Sequence, residues 1–168
     1  MQDDLGLERK HEAAQSGAIR LIATALATHG ENDETVGACA LAMSTICTGS
    51  DDDGLERKQM AAEEGSIEAI IEPLRMSGEV RTLERLCGLL RNLCMGQDVD
   101  GQRRKRTARE AGAVAIIERL LVEHPDAKAL QDAGKGALRN MRVYRGPGSG
   151  LGNSVGVPLR SGSDAMYV

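Results

Sequence analysis

Residues 57–95 read RKQMAAEEGSIEAIIEPLRMSGEVRTLERLCGLLRNLCM, and the landmarks of this stretch recur on both sides of it. A basic pair, followed eight residues later by a glycine, returns at intervals of 48 and then 47 positions. The copies are Arg9-Lys10 with Gly17, Arg57-Lys58 with Gly65, and Arg104-Lys105 with Gly112. A fixed interval of this length is typical of repeat proteins, so we predict three copies of one structural unit.

Each unit divides into three helical segments. In the middle copy, a short polar segment (57–64) stops at Gly65, because a residue without a Cβ lets the chain turn between helices. A second helix follows, with apolar residues at helical spacing from Ile67 to Leu74. A third helix begins at Ser77 as its N-cap and carries an apolar face to its end. The punctuation therefore predicts a short, a medium and a long helix in each unit.

This triplet, with a glycine between its first two helices, resembles the armadillo repeat over about residues 9–143. A HEAT unit would lack the short first helix. The resemblance implies an all-α fold, a right-handed α-solenoid of three armadillo-like repeats. We expect a polar lead at 1–8, the repeat array at 9–144 and a disordered Gly/Ser-rich tail at 145–168. The lead is nearly copied by residues 51–58 and looks like the end of a preceding repeat.

Composition agrees with stacked helices and with a noncatalytic role. The 168 residues include two Tyr, no Trp and no Phe, so the core must consist of aliphatic, Met and Cys side chains. The formal charge of −4 gives no general attraction to nucleic acid or to membranes. No Ser, His and Asp constellation, phosphate loop or metal-ligand spacing is visible. We therefore expect no enzyme activity, no cofactor, no metal and no small-molecule substrate.

The cysteines indicate the compartment. All four lie on predicted third helices: Cys39, Cys47, Cys87 and Cys94. Partners seven or eight residues apart on one helix are about 10–12 Å apart, beyond disulfide reach. The N-terminus is too polar for a signal peptide, and no apolar run is long enough to span a bilayer. We predict buried free thiols and a location in the cytoplasm or the nucleus.

The candidate binding residues lie on the third helices. Two units share an asparagine, an arginine just before it and a glycine four residues earlier, one helical turn away. These residues are Asn92, Arg91 and Gly88 in one unit and Asn140, Arg139 and Gly136 in the next. A glycine inside a helix costs about 0.5–1 kcal/mol relative to alanine, so its recurrence suggests that something approaches closely.

The armadillo resemblance gives these residues a role. In that family the third helices line a concave groove, where a ladder of asparagines holds the backbone of an extended peptide. The resemblance implies that Asn92 and Asn140 are two such rungs and that Thr45 is a degraded first rung. Import receptors of the family carry Trp where Gly88 and Gly136 stand, so we do not expect binding of basic import signals.

Nearby charges indicate the kind of partner. Arg81, Arg85 and Lys128 lie towards the same face and favour an acidic protein segment. The leading hypothesis is thus a protein-protein interaction module. Alternatively, the asparagines brace neighbouring helices, and the chain is a structural part of a longer repeat protein or scaffold. Nucleic-acid binding through the run Arg103 to Arg106 ranks third, because we expect the run to be a solvated face of an exposed first helix.

Overall fold

A computed structural model describes residues 4–142, and every regular element in that range is an α-helix. The nine helices are α1 (Asp4–Gln15), α2 (Ala18–Thr28), α3 (Asp33–Ile46), α4 (Asp52–Glu63), α5 (Ser66–Met76), α6 (Val80–Leu93), α7 (Val99–Glu110), α8 (Ala113–Glu123) and α9 (Lys128–Met141). The predicted all-α class is confirmed for these residues. Among them, no helix is both long and apolar enough to cross a membrane.

The helices follow each other in sets of 12, 11 and 14 residues. The prediction that the first helix of each set is short is therefore wrong. In the middle set α4 begins at Asp52, because the Asp51 side chain caps it by accepting a hydrogen bond from the Gly54 N–H at 2.9 Å. Likewise α1 begins at Asp4, inside the expected polar lead. The expected tail at 145–168 lies outside the described residues.

The turns between first and second helices are as predicted. Gly17, Gly65 and Gly112 have φ values of 86°, 73° and 86°, a left-handed conformation that favours glycine. The start of the third helix differs from the prediction. Glu79 is the N-cap residue of α6, whereas Ser77 ends α5 and its hydroxyl donates to the Asp33 carboxylate of α3.

Helices that have the same position in successive sets of three lie beside one another. The third helices α3, α6 and α9 pack in a row, α2 packs against α5, and α4 contacts both α1 and α7. Aliphatic side chains fill the space between them, among them Leu86, Leu90 and Leu93, which are fully buried. Cys47, Cys87 and Cys94 are buried in this core, Cys39 is half-buried, and all four thiols are free, as predicted.

Candidate protein-binding face and the helix junctions behind it

The asparagines connect neighbouring third helices. The Asn92 Nδ2 donates to the Ser44 carbonyl of α3 at 3.1 Å, and the Asn140 Nδ2 donates to the Arg91 carbonyl of α6 at 2.7 Å. Ser44 and Arg91 occupy equivalent places in their helices, one residue before Thr45 and Asn92. Each asparagine therefore holds its own helix to the preceding one, which is the bracing arrangement.

These bonds use only part of the hydrogen-bonding capacity of each carboxamide. One N–H of each amide bonds to the neighbouring helix, and both side chains remain partly exposed. Among residues 4–142, the amide oxygen of neither asparagine accepts a hydrogen bond. A carboxamide has two N–H donors and an acceptor oxygen, so each residue keeps one donor and its acceptor for a ligand. Their role as rungs for a peptide stays a prediction.

The two recurring glycines have different surroundings. A Cβ placed on Gly88 would meet nothing within 4 Å. On Gly136 it would lie 2.6 Å from the Cδ of Arg91, whose side chain crosses from α6. At Gly136, the group that approaches closely thus belongs to the chain itself. Of the two positions, only Gly88 leaves room for another molecule.

Gly88 lies in a shallow groove between the third helices. Its volume is about 300 Å³, and it is lined by Leu41, Ser44, Glu84, Arg85, Gly88, Asn92 and Ala133. Leu41 stands in the place that Gly88 has in its own helix, and it is 53% exposed. Arg85 lies across α3, with its Nη1 2.9 Å from where a Cβ of Gly37 would be. The groove is therefore lined by apolar Leu41 and Ala133 together with charged Glu84 and Arg85.

A second depression of about 710 Å³ adjoins it between α6 and α9. It is lined by Arg91, Asp132, Lys135, Leu138, Arg139 and Arg142 and is called the basic depression below. Four of these side chains are cationic and one is anionic. Among residues 4–142 the ion pairs are Glu72 with Arg75, Asp100 with Arg103, and Arg119 with Glu123. None of them neutralises the basic depression. Arg81, exposed in the first turn of α6, lines neither cavity.

The run Arg103 to Arg106 is not a continuous solvated face, and that expectation is wrong. Arg104 is only 1% exposed and Lys105 only 3%, while Arg103 lies 3.6 Å from the Asp100 carboxylate. Only Arg106 points to solvent without a partner among the described residues. This arrangement removes half of the run from any phosphate backbone and weakens the nucleic-acid hypothesis.

The buried basic residues instead close the end of the preceding third helix. Arg57 donates from Nε to the Ile46 carbonyl at 2.8 Å and from Nη2 to the Thr48 carbonyl at 3.1 Å. Lys58 donates to the carbonyls of Gly49 and Gly54. The last carbonyls of a helix have no partner within the helix and carry its negative dipole end. A buried cation is therefore stabilised here by backbone carbonyls, without a direct ion pair among residues 4–142.

The next junction repeats these contacts. Arg104 donates from Nε to the Leu93 carbonyl and from Nη2 to the Met95 carbonyl, both at 2.8 Å, and Lys105 donates to Gly96 at 2.6 Å. Burial lowers the pKa of Lys58, Arg104 and Lys105 from their ordinary values. The sequence showed the recurrence of this pair but not its partners, because the bonded carbonyls belong to the preceding unit. The useful signal is the shared motif Gly-x-Asp-x-x-Gly-x-x-Arg-Lys at residues 49–58 and 96–105.

No group of three or more potential metal ligands occurs within the described part of the chain. Comparison with protein-family models, with curated proteins and with solved structures finds no match for this sequence. The armadillo resemblance therefore depends on the spacing of residues, the helix triplets and the bonded asparagines alone.

Proposed function

We propose that the chain is a noncatalytic protein-interaction module, a right-handed α-solenoid of three armadillo-like repeats. The face formed by α3, α6 and α9 is its concave surface. It binds an extended, acidic segment of a partner protein in the cytoplasm or the nucleus. The triplet of helices and the row of third helices support this architecture.

The observation that carries the proposal is the uncompensated charge of the basic depression. Arg91, Lys135, Arg139 and Arg142 face a single carboxylate, that of Asp132, and none is in an ion pair among residues 4–142. Complementary charge contributes mainly to selectivity and to the rate of association. An acidic segment is therefore preferred over a neutral or basic one.

The asparagines supply the fixed spacing. Adjacent packed helices lie about 8–10 Å apart. An extended strand rises about 3.3 Å per residue, so Asn92 and Asn140 would meet peptide groups about three residues apart. Their free amide oxygen and remaining N–H match a peptide backbone. The open space at Gly88 admits one side chain of the bound segment between these contacts.

The test is a charge reversal within the basic depression. We would measure, by fluorescence anisotropy, the binding of labelled ten-residue peptides that carry four Glu, four Gln or four Lys in an otherwise identical Gly/Ser sequence. We expect the Glu peptide to bind best. The double variant Lys135→Glu, Arg139→Glu should weaken it at least tenfold, because both side chains are exposed and lie in the basic depression.

The matched control is Arg20→Glu, Arg106→Glu, which changes net charge equally at exposed positions on α2 and α7. It should weaken binding by less than twofold at 0.15 M salt, where distant charges are screened. Equal losses in both variants, or equal binding of the Lys peptide, would refute the proposed face.

A further inference from the structure

The motif that closes each junction occurs once more, at the start of the chain. Asp-x-x-Gly-x-x-Arg-Lys is found at residues 3–10, 51–58 and 98–105. The second and third copies each bind the C-terminal end of the preceding third helix. The first copy places Gly6, Arg9 and Lys10 on α1, and no preceding helix among residues 4–142 lies against them.

The glycine of the motif indicates that each junction accommodates a second backbone in close contact. A Cβ on Gly54 would lie 2.6 Å from the carbonyl carbon of Gly49, and one on Gly101 would lie 2.8 Å from that of Gly96. Gly49 and Gly96 have φ values of 131° and 100°, so the loop after each third helix also requires glycine. Two backbones thus touch at this point, and any side chain would separate them.

At the first copy the same glycine faces open space. A Cβ on Gly6 would meet nothing within 4 Å among the described residues. Arg9 is exposed and Lys10 is half-buried, and neither makes a hydrogen bond or ion pair within residues 4–142. Their counterparts Arg57 and Lys58 are 1% and 0% exposed. The surface of α1 therefore carries the residues of a junction but makes none of the junction's hydrogen bonds among residues 4–142.

The last third helix that the structure describes, α9, makes a different contact at its C-terminal end. Arg109 donates from Nη1 to the Met141 carbonyl at 2.7 Å. Met141 corresponds to Ile46 and Leu93, the residues whose carbonyls bind Arg57 and Arg104 in the two junctions. The other units have alanine where Arg109 stands, at Ala14 and Ala62. The Met141 carbonyl of α9 thus already accepts a bond from its own unit, which argues against a second copy of this chain as the occupant of α1.

We propose that the surface of α1 formed by Gly6, Arg9 and Lys10 docks the C-terminal end of an α-helix that belongs to a further repeat unit. The docked helix has uncapped terminal carbonyls and is followed by a glycine in a tight loop. Arg9 binds two of the carbonyls, Lys10 binds the glycine carbonyl, and Gly6 lets the two backbones touch. This inference does not depend on the acidic-segment proposal, because it uses none of the residues of the third-helix face.

The experiment supplies such a unit from the chain's own sequence. A second copy of residues 4–50 is joined directly before Asp3, with Met1 and Gln2 removed, so that its Gly49 lies two residues before Asp3 as the native Gly49 lies before Asp51. In the extended protein, Gly6→Ala should lower the melting temperature by several degrees, about as much as Gly54→Ala does. In the original chain Gly6→Ala should not lower it.

Acetylation followed by mass spectrometry gives a second readout. Lys10 should react quickly in the original chain and at least tenfold more slowly in the extended protein, with buried Lys58 as the slow reference in both. Equal reactivity of Lys10 in the two proteins, or a Gly6→Ala substitution that is harmless in both, would overturn the inference. A concentration-dependent dimer of the original chain that Arg9→Glu dissociates would also overturn it, in favour of a second copy.

Discussion

Two sets of basic side chains in this protein have the same chemistry and opposite surroundings. Arg57, Lys58, Arg104 and Lys105 on the first helices are 0–3% exposed and bond to backbone carbonyls. Those of the basic depression lie at a surface without ion pairs among the described residues. The difference lies in what stands opposite. A helix end that presents unpaired carbonyls stabilises a buried cation. The side of a helix presents no such carbonyls, so a cation there remains able to pair with another molecule.

Burial of a charge is costly unless its hydrogen bonds are satisfied. The junctions meet most of this requirement with backbone carbonyls, to which the side-chain oxygen of Gln59 adds one acceptor for Arg104. The side chains of the basic depression avoid this burial cost because they remain exposed to solvent. The two sets should therefore respond differently to the same substitution.

The largest effect is expected from the buried set. Arg57→Ala removes bonds to the carbonyls of Ile46 and Thr48 and leaves both without a protein partner. Hydrogen bonds to charged groups contribute about 1.5–3 kcal/mol each, so the free energy of unfolding should fall by about 3–5 kcal/mol. Urea denaturation followed by circular dichroism measures it.

The matched control is Arg139→Ala in the basic depression, which should change stability by less than about 0.5 kcal/mol. Comparable losses in the two variants would mean that burial of the guanidinium does not distinguish the sets.

The next effect concerns the buried thiols. Burial raises the pKa of Cys47 to about 11, against the opposing influence of Lys58 and Arg57, and raises that of Cys87 and of Cys94 to about 12. A raised pKa gives stability that is complete below the unfolded value of 9.0 and is lost as pH rises towards the folded value. By linkage, each thiol should cost about 1 kcal/mol at pH 10 relative to pH 8.

Urea denaturation at the two pH values tests this, and Cys87→Ala should recover about 1 kcal/mol, the share of one thiol. The lowered pKa values of Lys58 and Lys105 act in the opposite direction, so the difference between wild type and Cys87→Ala is the clean measurement. A loss that this variant leaves unchanged would contradict the buried-thiol account. Native alkylation at pH 8 should reach half-buried Cys39 first.

The sequence predicted the helical class and the glycine turns, because each depends on local spacing within one unit. It did not predict the length of the first helices, since α4 begins at Asp52, well before the basic pair that marks the start of the predicted unit. Nor did it predict the burial of Arg104, because a run of four basic residues looks solvated until the preceding helix end is placed against it. The sequence did not indicate that Arg109 binds a helix end, because the other units have alanine at its position.

A smaller effect should separate the two roles of the asparagines. Asn92→Ala with Asn140→Ala removes one interhelical hydrogen bond at each site, which should lower stability by about 0.5–1.5 kcal/mol per residue. If they are also rungs for a bound segment, the double variant should weaken the Glu peptide about five- to hundredfold. Thr24→Ala on α2 is the control, because the exposed Thr24 hydroxyl bonds to the Arg20 carbonyl within its own helix and lies outside the third-helix face. Lost stability with unchanged binding would make the asparagines braces alone.

The smallest effect concerns a flaw in one junction. Nη1 of Arg104 donates to the Gln59 side chain of α4 at 2.9 Å, whereas Nη1 of Arg57 is buried without a partner among the described residues. His11 occupies the place of Gln59 in α1, and its Nε2 lies 2.7 Å from Nε2 of Gln15 instead.

An unsatisfied buried donor costs about 1–3 kcal/mol, so His11→Gln should raise the free energy of unfolding by about 1 kcal/mol by giving Arg57 the acceptor that Arg104 already has. A better helix former could also stabilise α1 by a few tenths of a kcal/mol. A double-mutant cycle separates the two causes, since Arg57→Lys removes Nη1 while keeping a buried cation. If His11→Gln stabilises the Arg57→Lys background equally, the gain comes from α1 itself. A gain present only with Arg57 would show that the junction between the first two units is completed by a side chain of α1.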